Sequence, residues 1–297
     1  MNTIENENVK TPWYKTAQAY LFLAPALVLL GAFSFWPVGY GSFLAFSKYN
    51  ILTGAKWVGL ENFRDLFQDK IFLIALKNSM LYLLVVPFIQ IGALMLAVLV
   101  NNSLPGIRFF RAAYYVPVVT TVSVIGVMWN WMYADYGALN WLLSTLKVVN
   151  EPVGFLSDSS LALMSVMFVT LWRGLGFYMV LYLAGLQAIP KEIEEAAILD
   201  GASRMQRFWR ITVPMLKPTI LLCSVLSTLA ALKAFEEVQI MTQGGPLNST
   251  YTALYYAYDM GMRSLNFSKG LAASFVVSIF CLLLAWLNFR YFKPEHR

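Results

Sequence analysis

Apolar residues fall along this chain in long unbroken blocks, and block length sets the first expectation. A bilayer core about 30 Å thick needs roughly 20 consecutive apolar residues in a helix. About six blocks of that size stand between polar segments: Ala19–Phe43, Asn78–Val100, Ala112–Tyr133, Leu161–Leu186, Leu216–Phe235 and Lys269–Tyr291. They predict an all-α membrane protein of about six transmembrane helices over 19–297, preceded by a polar segment, 1–18. Pro25 and Pro37 interrupt the first block, so a kinked or tilted helix is expected there, its freed backbone groups satisfied by neighbouring helices. That block exceeds a signal-peptide core and reads as a retained span.

Composition agrees: 59% of the chain is hydrophobic and 13% charged, against about 25% charged in soluble domains. The net charge of +6 then reads as basic loops facing anionic lipid headgroups, and no nucleic-acid partner is expected. With the N-terminus inside, the cytoplasmic segments hold about twelve Lys and Arg over roughly sixty residues, and the opposite side about eight over roughly ninety. Both termini and the 187–215 loop are therefore expected in the cytoplasm. Trp129, Trp131, Tyr133, Tyr136 and Trp141 are expected in an interfacial aromatic belt. Cys223 and Cys281 lie in apolar runs without disulfide or metal spacing. The single histidine, His296, argues against a histidine metal site or triad, and no catalytic residue or metal ligand is assigned. Asp and Glu are nearly absent from block interiors, which disfavours a carboxylate proton relay.

The 187–215 segment is patterned more finely than a turn. Pro190 suits a first helical turn, and Glu192, Glu194 and Glu195 favour its N-terminal end. Gly201 fits the left-handed residue that stops such a helix, and Ser203 with Gln206 has capping-box spacing for a second. On that second helix Met205, Phe208, Trp209 and Thr212 share one face, expected against protein, and Arg204, Arg207 and Arg210 share another. From pattern alone, an interfacial helix pair that anchors the bundle is the leading reading.

Glu195-Ala196-Ala197, Gly201, Ile211, Val213 and Pro214 stand at the intervals of the Glu-Ala-Ala signature of permease subunits in binding-protein-dependent ABC importers. Val213 replaces the expected leucine. The chain resembles that family over nearly its whole length. Trp57–Phe63, Leu183–Pro190 and Met241–Pro246 narrow the resemblance to the carbohydrate-uptake, MalF/UgpA-like branch. The resemblance implies a type I importer (MetI-like) fold in the bacterial inner membrane. It further implies a coupling helix seated in an ATPase cleft, with Glu195, Ala196, Ala197, Asp200, Gly201, Ser203, Ile211 and Pro214 as the coupling residues. The implied partners are a second, MalG-like permease subunit, two ATPase subunits, an extracytoplasmic substrate-binding protein and membrane lipids. No cofactor is expected on this chain. ATP and Mg belong to the partners, since the chain has no Gly-Lys-Ser or Gly-Lys-Thr phosphate loop.

By spacing from the signature, the family's sugar-contact positions fall on Thr170, Arg173, Gly174, Phe177, Ala231 and Ala234. Alanines replace the amides such a site uses on the fifth span, so the same cargo and hydrogen bonds are not implied. An arginine midway along a span is by default functional, and a structural ion pair is the other reading of Arg173. Lys233, with Glu236 and Glu237 three and four residues on, has the spacing of a same-face ion pair; lining a path for an anionic sugar derivative is its other reading. A sugar, oligosaccharide or polyol conjugate is the expected cargo. A secondary transporter, an importer of non-sugar solutes and a membrane-embedded enzyme are the rival classes. Neither the secondary transporter nor the enzyme accounts for the patterned loop, and the non-sugar importer differs from the leading reading in cargo alone.

Overall fold

A computed structural model describes residues 13–101 and 106–292; His296, Lys293 and the start of the 1–18 segment lie outside them. Among the described residues, five helices are long and apolar enough to cross a bilayer, or six if a bent pair counts as one. The first span is Tyr20–Ala45, the second Lys70–Val100, the fourth Ala162–Gln187, the fifth Lys217–Met241 and the sixth Phe267–Tyr291. The third is the bent pair Phe109–Val119 and Val122–Thr145.

Proline acts differently in the first and third. The Pro37 ring would clash with the carbonyl four residues back. Gly31–Phe35 widens there into a π-turn, Trp36 N–H bonding to Gly31 O, and the span continues through it. The block expected as one span over Ala112–Tyr133 is instead two limbs meeting at 102°. Thr120 and Thr121 are both extended, which suits β-branched residues and follows a helix already weakened by Pro117. The bend also alters the aromatic belt. Trp131, Tyr136 and Trp141 are exposed, but Trp129 and Tyr133 are buried, Trp129 against Tyr133, Phe168 and Trp172.

One end of the bundle is tied by contacts distant in sequence. A hairpin of β1 (Ser47–Asn50) and β2 (Gly54–Trp57) pairs antiparallel, Ser47 opposite Trp57. Asn62 Nδ2 donates to Ala45 O and Ser47 O, and Asn78 Nδ2 to Ser249 O and Tyr251 O. Asp69 caps the second span and accepts from Lys269 Nζ at 2.5 Å and from the Tyr256 hydroxyl at 2.7 Å. Burial alone would raise the Asp69 pKa, but those donors together with the Ile71 backbone N–H hold it below the usual value. The first span has little such support: its side chains are mostly exposed until Leu44 and Ala45.

The second and fourth spans cross closely because glycines meet bulky neighbours. A Cβ on Gly92 would lie 2.6 Å from Leu175, and one on Gly174 2.8 Å from Ile89. Gly176 admits the Tyr114 carbonyl of the bent pair in the same way. These crossings fix the walls of a central cavity.

Candidate functional site

A cavity of about 510 Å³ opens between the second, third, fourth and fifth spans. Thr170, Arg173, Gly174, Phe177, Ala231, Lys233 and Ala234 all line it, so the fold gathers in one place every residue that spacing nominated for a substrate path. Thr170 Oγ1 lies 3.0 Å from the Tyr82 hydroxyl. Gly174 has a packing reason of its own, its contact with Ile89. Between Ser227 and Lys233 the fifth-span wall is lined by alanines without side-chain donors, so charged groups dominate the polar inventory.

Those charges pair otherwise than their spacing suggests. The fifth-span helix ends at Leu232 and resumes at Glu236, so Lys233, Glu236 and Glu237 do not share one helical face. Glu237, buried, pairs with Arg173 at 3.2 Å, while Lys233 is exposed and makes no ion pair among the described residues. The break itself is braced by Thr252, whose hydroxyl donates to Ala234 O at 2.6 Å.

Next to Ser227, which lines the cavity, Gln90 ties the second, fourth and fifth spans together. Its Nε2 donates to Cys223 O and Ser227 Oγ, and its Oε1 accepts from Tyr182. A buried amide with its hydrogen bonds made is stable where an unpaired one would be costly. Sequence reading passed over Glu237 as the partner of Arg173, and over Gln90, Tyr82 and Thr252. For Tyr82 and Gln90, polar groups inside an apolar block were the available signal; Glu237 and Thr252 lie outside the blocks and gave none.

The second feature is the elbow between the fourth and fifth spans. Lys191–Leu199 is helical, and Gly201 has φ +77°. Ala202 N–H bonds to Ala197 O and Gly201 N–H to Ile198 O, the Schellman pattern that closes a helix on a left-handed residue. Ser203 and Gln206 form the reciprocal capping box, starting Arg204–Arg207, which passes through a π-turn, Phe208–Thr212, into Val213–Met215.

The elbow faces differ from the helical-wheel expectation in which of them is covered. Phe208 and Arg207 turn partly inward, Arg207 pairing with Glu194 at 3.3 Å. Met205 and Trp209 are exposed, with the indole N–H 3.1 Å from the Met205 sulfur. Ala197 is buried, while Glu195, Ala196 and Asp200 are exposed. Ile198 and Leu199 stand out at 53% and 88% exposure, an apolar tip on a segment between two spans. Ser203 and Pro214 are exposed and Ile211 half-buried. Among the described residues no cluster of His, Cys, Asp and Glu could hold a metal ion.

Residues 75–293 match the family described as "Binding-protein-dependent transport system inner membrane component". The lactose transport system permease protein LacF of Rhizobium radiobacter is 33% identical over 287 residues, spanning 93% of this chain and 94% of that protein. The sn-glycerol-3-phosphate transport system permease protein UgpA of Agrobacterium fabrum is 30% identical over 280 residues, 93% of this chain and 94% of that one. In fold the chain is similar to a bacterial alginate ABC transporter solved in complex with an alginate pentasaccharide-bound periplasmic protein. The TM-score is 0.82 at 23% identity, covering 94% of this chain and 95% of that one.

Proposed function

The chain belongs to the family of binding-protein-dependent transport inner membrane components, and from that premise we propose that it is the permease subunit of an ATP-driven importer for a sugar, oligosaccharide or polyol conjugate. The observation that carries this reading is the elbow: a backbone-locked, solvent-facing bend bearing the family signature and an uncovered apolar tip at Ile198 and Leu199. Exposed apolar groups of that kind mark a docking surface. An ATPase subunit is the partner such a bend would transmit force from. Glu195 offers its carboxylate to a basic group, and Ala196 allows close approach.

The protein is a multi-pass protein of the bacterial inner membrane, with both termini and the elbow on the cytoplasmic side. A second, MalG-like permease subunit completes the translocation path, two ATPases bind ATP and Mg and hydrolyse the nucleotide, and an extracytoplasmic binding protein delivers cargo. This subunit is a conduit and not a catalyst. Cargo crosses through the central cavity as its walls alternate between outward and inward access, driven by closure of the ATPases. The lactose and glycerol-phosphate relatives support a carbohydrate or polyol cargo.

Co-purification with an ATPase and a partner permease from the native host, then uptake assays in proteoliposomes, tests the proposal. Wild-type protein is expected in a complex whose ATP hydrolysis rises with loaded binding protein. Glu195→Lys is expected to insert normally and lose that rise. Recovery as a lone, ATP-independent transporter, or a wild-type rise in Glu195→Lys, refutes it.

A further inference from the structure

Resting on the importer reading, we infer that Arg173 and Glu237 form a latch across the cavity, and that cargo loosens it to release the short helix Glu236–Met241. Arg173 is then a positioning residue for the moving wall.

Beyond the break in the fifth span, Glu236–Met241 is a separate six-residue helix held from three sides. Thr252 fixes its approach through Ala234 O. Ile240 sits on Gly126 of the bent pair, where a Cβ would come within 2.7 Å of its side chain. Glu237 reaches Arg173 of the fourth span at 3.2 Å. Of these ties, only the ion pair is made by side chains that line the cavity.

The pair is lopsided. The Glu237 side chain is 10% exposed and that of Arg173 36%. A guanidinium carries five N–H donors, and one nitrogen faces Glu237 while the exposed remainder faces the space cargo enters. Hydroxyl or acidic groups of cargo that draw the guanidinium away leave a buried carboxylate without its counter-charge, an unfavourable state. The short helix must then shift, and Ile240 passes the shift through Gly126 to the bent pair.

The complete transporter in lipid nanodiscs, with its binding protein, provides the test. The readout is ATP hydrolysis with cargo-loaded binding protein divided by hydrolysis without it. Glu237→Gln, close to isosteric, and Arg173→Gln are each expected to lower this ratio by roughly tenfold, and the swap Arg173→Glu with Glu237→Arg to recover most of it. A wild-type ratio in assembled Glu237→Gln overturns the latch, as does a swap no better than the single variants. If Arg173→Gln does not assemble, Arg173→Met is read instead, and a wild-type ratio there overturns it too. A wild-type complex that shows no stimulation at all refutes the importer reading and not the latch alone.

Discussion

The elbow and the cavity are built on opposite plans. Backbone hydrogen bonds that hold the elbow join residues three to five apart, such as Gly201 to Ile198 and Ala202 to Ala197, and its apolar tip is left bare. The cavity is held by bonds between residues far apart in sequence: Arg173 to Glu237, Tyr82 to Thr170, Gln90 to Cys223. A locally locked bend keeps its shape while the bundle moves around it, as a force-transmitting part must. A container whose walls are registered by distant contacts changes shape when any one contact goes. Damage to the elbow should therefore cost coupling with little loss of bundle stability, and damage to the cavity walls should cost stability first.

The largest expected effect separates the two. Gly201→Pro demands φ near −65° where the backbone holds +77°, and removes the N–H bonded to Ile198 O. A local cost of about 3 kcal/mol should lower uptake roughly a hundredfold, while inserted protein and the melting temperature of the bundle stay near wild type. Gly201→Ala should cost about 1 kcal/mol, purely conformational, since nothing lies within 4 Å of the added Cβ. A bundle that melts early in Gly201→Pro would erase the distinction.

A second glycine gives the mirror result. Gly176 has no need of a left-handed backbone, but a Cβ there would lie 2.0 Å from the Tyr114 carbonyl, which cannot rotate aside. Gly176→Ala should destabilise the bundle by about 1–3 kcal/mol, seen as a lower melting temperature in detergent, while the elbow still captures the ATPase from solution.

The same contrast explains what could be read beforehand. A Schellman end and a capping box are written in adjacent residues, so Gly201 and Ser203 with Gln206 were legible from pattern, as were apolar blocks of bilayer length. The signature then placed Thr170, Arg173 and Phe177, which now share one cavity. Pairing across the cavity was not legible. Lys233 and Glu237 have helical spacing, but the helix stops at Leu232, and a carboxylate 64 residues away from Arg173 leaves no local mark. The 102° bend was hidden because Thr120 and Thr121 are apolar enough to pass within a block. The exposure of Met205 and Trp209 was hidden because a wheel shows which residues share a face and not whether that face is covered.

Smaller effects come from the rim of the container. Asp69 is held below its usual pKa by Lys269, Tyr256 and the Ile71 N–H, against the opposing effect of burial. A carboxylate depressed on folding stabilises the native state above its unfolded pKa of about 4, and the contribution disappears as pH falls through the lower folded value. Melting temperature should fall below about pH 4 in wild type. In Asp69→Asn it should start lower, by the equivalent of about 1 kcal/mol, and lose less over that range. Equal acid sensitivity in the two would assign it to other carboxylates.

The smallest expected effect puts most pressure on the claim that the elbow sets its own shape. Arg207 and Glu194 bridge its two helices at 3.3 Å, but the glutamate side chain is 66% exposed, and a pair so hydrated contributes ~0.5 kcal/mol. Glu194→Gln should change the cargo-stimulated ATPase ratio by about twofold or less, and 1 M salt should remove the difference. Arg207→Ala should do more, because the arginine stem is packed inward and its loss removes contacts as well as charge. A double-mutant cycle separates the charge contribution from packing. If Glu194→Gln alone cut the ratio tenfold, the bend angle would depend on the ion pair and not on Gly201 and the capping box. The elbow would then be a structure held from outside its own backbone, as the cavity is.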